Sequence, residues 1–210
     1  MAGGMFTKQA WFLTARYLND VNDATAQGAI NAVPSGVTAT QAEQTLPGDR
    51  ICIDDATALA LSDTAVGTLY GGLYMYVATT STATASPAVG TIAFFTLASI
   101  GSSYTVTSDA QPLTTVPTYV AGIFINAATK GNYCWIQIAG IASVLFDSSV
   151  TANVTGNWVS AKVSASVAST ADVGAALGVI TIAAQLGVSV GTVTTSTVSK
   201  IALTRGFGRI

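Results

Sequence analysis

Apolar and polar residues alternate with a period of two along much of this chain. The clearest case is the stretch 158–167, where Val159, Ala161, Val163, Ala165 and Val167 fall on one side. Trp158, Ser160, Lys162, Ser164 and Ser166 fall on the other. Successive side chains of an extended strand point to opposite faces, so this pattern predicts a half-buried β-strand. The runs 118–126 (TYVAGIFIN) and 132–139 (NYCWIQIA) predict two more strands. The short polar link 127–131, ending in Gly131, predicts a hairpin between them. Gly140 permits a kink before a further strand over 141–146. The runs 67–79 and 91–98 also read as strands, separated by a Thr/Ser/Ala loop. Thr and Val, both stiff at χ1 and favouring strands, are frequent, and long stretches of helix formers are missing.

Strands at this density, punctuated by Gly, Pro, Ser and Asp, predict an all-β fold, a β-sandwich or barrel-like module. The expected organisation has three parts. Residues 1–21 form an extended N-terminal arm and residues 22–202 the β-rich domain. Residues 203–210 form a short C-terminal tail. Two sub-modules meeting near 110–118 are an open alternative within the domain. The arm carries Phe6, Trp11, Phe12 and Tyr17, and the tail carries Arg205, Phe207 and Arg209. Aromatics and arginine dominate interface energetics, so these seven residues are the expected protein–protein contacts.

Composition sharpens the picture. The chain has 210 residues, half of them hydrophobic and only 9% charged, against roughly a quarter in an ordinary soluble domain. Mean hydropathy is +0.54. Such a chain has either a membrane segment or much apolar surface that meets other protein. The uncharged run 173–190 (VGAALGVITIAAQLGVSV) is near the minimum length for spanning a bilayer. It lacks flanking cations and an aromatic belt, and it reads better as two short strands joined by a glycine turn. No secretory leader is expected over residues 1–20, because Lys8 and Arg16 interrupt the apolar run. Synthesis in a reducing cytoplasm is therefore expected, with Cys52 and Cys134 as small buried hydrophobes.

Charge is unevenly placed. Between residues 17 and 129 stand Asp20, Asp23, Glu43, Asp49, Asp54, Asp55, Asp63 and Asp109, opposed by Arg50 alone. Residues 130–210 carry Lys130, Lys162, Lys200, Arg205 and Arg209 against Asp147 and Asp172. Such polarity suits contacts between copies. With a net charge of −2 and few basic residues, the chain is not expected to bind nucleic acid by neutralising phosphates.

Chemistry has little to work with. Histidine is absent, which removes the usual general base and His-dependent triads and zinc sites. There is no nucleophile elbow, phosphate-binding loop or dinucleotide fingerprint. Ser160 and Lys162 fall on the polar face of a strand, as a solvated pair rather than a catalytic dyad. Asp54 and Asp55, with Asp49 and Asp63 nearby, lack calcium-loop spacing and read as a turn. Tyr70, Tyr74 and Tyr76 read as core or subunit contacts rather than a ligand platform. Trp135 and Trp158 are expected in the core. No catalytic residue, cofactor or metal is expected, and the chain is not expected to be an enzyme.

The segment 131–144 (GNYCWIQIAGIASV) resembles a G-x-Y-x-W-[IV]-Q-[IV]-x-G-x-A-x-V pattern of tailed-bacteriophage head proteins, especially small capsid decoration (cement) proteins. The resemblance implies a β-rich, non-enzymatic virion protein on the outer surface of an icosahedral capsid. It implies attachment to the major capsid protein and self-association as a dimer or trimer. It implies no cofactor. Another phage or surface-lattice role, such as a head fibre or tail component, is the alternative, with a membrane-associated protein behind it.

Overall fold

The computed structural model describes residues 47–62, 68–83, 85–96, 104–109, 120–148, 156–162, 170–173, 185–193 and 197–203. Within these the fold is all-β and barrel-like. Ten strands and one helix of seven residues follow in the order β1 (Arg50–Ile53), α1 (Asp55–Leu61), β2 (Gly72–Thr79), β3 (Ile92–Phe95), β4 (Thr105–Thr107), β5 (Val120–Phe124), β6 (Tyr133–Leu145), β7 (Trp158–Lys162), β8 (Thr170–Val173), β9 (Gln185–Ser189) and β10 (Val198–Leu203).

The pairing closes a ring. β2 pairs in parallel with β4, β4 with β3, β3 with β5, β5 with β6, and β6 returns antiparallel to β2. Closure leaves these five strands with no open edge between them. β1 continues along the edge of β2 that β4 leaves vacant, with Ile51 opposite Tyr74 and Cys52 opposite Leu73. β6 is long enough to serve two structures. Its first half is a stave of the ring, and its second half pairs with β10, from Leu203↔Gly140 to Val198↔Leu145. β9 and β7 extend the sheet from β10, and β8 adds to β7. β8 then approaches β6 again without pairing to it. The fold is thus two curled sheets joined along one shared strand.

Alternation explains the two cores. On β2, Met75 and Val77 point into the ring, where they meet Cys134 and Ile136 of β6 and Phe124 of β5. This main core continues under the second curl through Ala142, Val144, Val159, Leu186 and Ile201, all essentially inaccessible to solvent. The intervening residues Tyr74, Tyr76 and Trp135 point outwards, yet they are buried too. They form a second core with Ile53, Leu69, Ile125 and Ala58 of α1. The helix and the chain at 68–71 therefore roof the outer face of β1, β2 and the first half of β6.

Local chemistry holds that roof. Asp54 caps α1, its carboxylate accepting from the Thr57 amide at 2.8 Å and from the Thr57 hydroxyl at 2.9 Å. These hydrogen bonds, the backbone one foremost, hold the Asp54 carboxyl below the usual carboxylate range. Asp55 accepts from the Gly71 amide at 2.8 Å, tying the helix start to the strand entrance. Ser62 Oγ donates to the Ala58 carbonyl and accepts from the Leu69 amide.

The expected hairpin across 127–131 is present between β5 and β6, with Gly131 at φ +87° in its turn. Buried Thr79 of β2 anchors that loop by donating to the Asn132 carbonyl at 2.7 Å. The run 158–167 begins as the expected strand, with Val159 buried, and residues 163–169 lie outside the described set. The run 173–190 begins at the end of β8 and ends just past β9, and residues 174–184 lie outside the described set. The expected glycine turn and the strand before it therefore lie outside the described residues, and β8 and β9 flank β7 on opposite edges. Among the described residues no helix is long and apolar enough to cross a membrane.

Candidate functional site

The segment 131–144 is the mechanical centre of the fold, and each residue type in it has a structural reason. Tyr133 and Trp135 face the second core. There Trp135 lies tilted against Tyr76, with ring centroids 5.2 Å apart, and Tyr133 stacks on Tyr76 at 6.0 Å. Cys134, Ile136 and Ile138 face the main core. Between Leu73 and Tyr74 of β2 the register shifts, so Ile138 is an extra residue on β6. Such a bulge leaves backbone groups without ladder partners. Buried Gln137 serves them: its Nε2 donates to the Ile141 carbonyl at 2.7 Å and the Ala139 carbonyl at 3.3 Å.

Gly140 then takes φ +94° opposite Gly72. A Cβ at Gly140 would strike the Gly71 carbonyl oxygen and come within 2.8 Å of Gly72 Cα. Only glycine meets both demands, left-handed backbone and close approach. This is the point where β6 leaves the ring and enters the second curl.

Beyond that junction no described residue outside these strands continues the roof over the outer face of the sheet. Register places Trp158 beside Val188, Val188 beside Ala202, and Ala202 beside Ile141, all on one face. Next along it lie Val190, Lys200 and Ser143, and then Val198 and Leu145. The roof ends here. Ser143 Oγ donates to the Thr68 carbonyl at 2.7 Å, and the Lys200 ammonium sits 4.5 Å from the centre of the Tyr70 ring. Past Tyr70 three apolar side chains stay well exposed: Trp158 at 37%, Val190 at 41% and Val198 at 45%. Among the described side chains of these four strands on this face, Lys200 carries the only charge.

Three residues depart from expectation: Cys52, Trp158 and Ser160. Cys52, expected buried, is exposed, because β1 offers only Ile51 and Ile53 to the second core and turns Arg50 and Cys52 outwards. Trp158, expected in the core, lies on the outer face, where no described residue fully covers it. Trp135 and Cys134 are buried as expected, and burial pushes the Cys134 thiol up in pKa. Tyr74 and Tyr76 are core residues, as expected. The Tyr74 hydroxyl donates to the Tyr70 carbonyl, and burial pushes the Tyr74 phenol up in pKa. Asp54 and Asp55 are committed to the helix cap and to Gly71. Asp63 lies outside the described residues. Ser160, expected to be solvated, is buried instead, because β7 is flanked by strands on both sides at this position; the side chain of Lys162 lies outside the described set. The expected contacts Phe6, Trp11, Phe12, Tyr17, Arg205, Phe207 and Arg209 all lie outside the described residues, as does the stretch 110–119.

No protein-family model and no curated protein matches the chain.

Proposed function

We propose that this protein is a non-enzymatic structural component of a virus particle: a decoration protein on the outer surface of a tailed-bacteriophage capsid. In this reading it bridges subunits of the major capsid protein and acts as a dimer or trimer. The observation that carries the reading is the segment 131–144. It resembles the pattern of phage head proteins, and it is also the strand on which both curls of this fold depend. Two further features support it. The ring of β2–β6 has closed pairing, which makes a rigid body. The chain is 9% charged, and the described part of it leaves an apolar sheet face uncovered. A rigid body with modest adhesive surfaces suits a lattice, because several weak contacts made together raise effective affinity by orders of magnitude.

The terminal segments add the aromatic and arginine contacts expected from sequence, from Phe6 to Tyr17 and from Arg205 to Arg209. The test is co-sedimentation of the purified protein with shells assembled from major capsid protein alone. Saturable binding is expected, and it should weaken when residues 1–14 are deleted. Absence of binding would sink the reading. Unchanged binding by the deletion would remove the arm from the mechanism.

A further inference from the structure

We draw no further inference here: the strongest candidate, the apolar surface patch of Trp158, Val190 and Val198 on the outer face of the second curl, carries nothing because nothing in the structure shows what covers it.

Discussion

Three glycines separate the two physical reasons for glycine at the junction of the curls. Gly140 has φ +94° and a neighbouring backbone in the path of any Cβ. Gly156 has almost the same backbone angle, φ +93°, but nothing lies within 4 Å of a Cβ built there. Gly187 has no left-handed angle, yet a Cβ there would strike the Ala202 carbonyl. Alanine at Gly156 thus tests strain alone, at Gly187 crowding alone, and at Gly140 both. Left-handed strain costs about 1–2 kcal/mol for a residue with a Cβ. Crowding against ladder backbone costs roughly 1–3 kcal/mol, because relief means shifting paired strands. A stiffer unfolded chain returns about 0.4–1 kcal/mol in each case. Net losses of roughly 1 kcal/mol for Gly156→Ala, 1–2 for Gly187→Ala and 2–4 for Gly140→Ala follow from these terms. For a chain of this size the last corresponds to about 5–15 °C in Tm. Urea titration measures all three, with midpoints falling in that order and the slope unchanged. Equal losses for Gly140→Ala and Gly156→Ala would refute the close approach of β2 and β6 at Gly140.

Gln137→Leu should destabilise the fold by about 1–3 kcal/mol, because the Ala139 and Ile141 carbonyls lose their shared donor inside the protein. Denaturant midpoints check this, and a neutral variant would mean that the bulge does not need the amide. Ile136→Ala, in the middle of the main core, should cost about 2–5 kcal/mol by the same assay. A thiol reagent should label Cys52 quickly in the native protein and Cys134 only on unfolding, since one is exposed and the other buried with a raised pKa. Rapid labelling of both would contradict the ring interior. Asp54→Ala should weaken the cap of α1 and flatten part of the acid limb of the stability curve. The Asp54 carboxyl is depressed in the folded state, so its contribution is present above the unfolded carboxylate value near pH 4. It is lost as pH falls through the lower folded value. An unchanged acid limb in the variant would remove Asp54 from acid unfolding.

Sequence alternation carried the strands but not their partners. The stretch starting at Trp158 and the hairpin between β5 and β6 were readable because both depend on neighbours a few residues away. That β2 pairs in parallel with β4 and antiparallel with β6 was not readable, because such pairing depends on contacts across tens of residues. The outward positions of Cys52 and Trp158 were legible in principle. Period two puts Arg50 and Cys52 opposite Ile51 and Ile53, and Trp158 with Ser160, but residue type outweighed phase in placing them inside. Helix α1 had a signal too, an aspartate followed by an Ala/Leu-rich run, which is a capped helix start. The role of Gln137 had no signal of its own, because it exists only where β6 bulges against β2.

The central claim is that this rigid, charge-poor β body exists to attach to a protein lattice. Counting the copies bound at saturation to shells of major capsid protein, by electron cryomicroscopy, tests it most directly. Full occupancy of one class of symmetry-related position is expected, with the protein outside the shell. Shells that remain bare at saturating protein would contradict it.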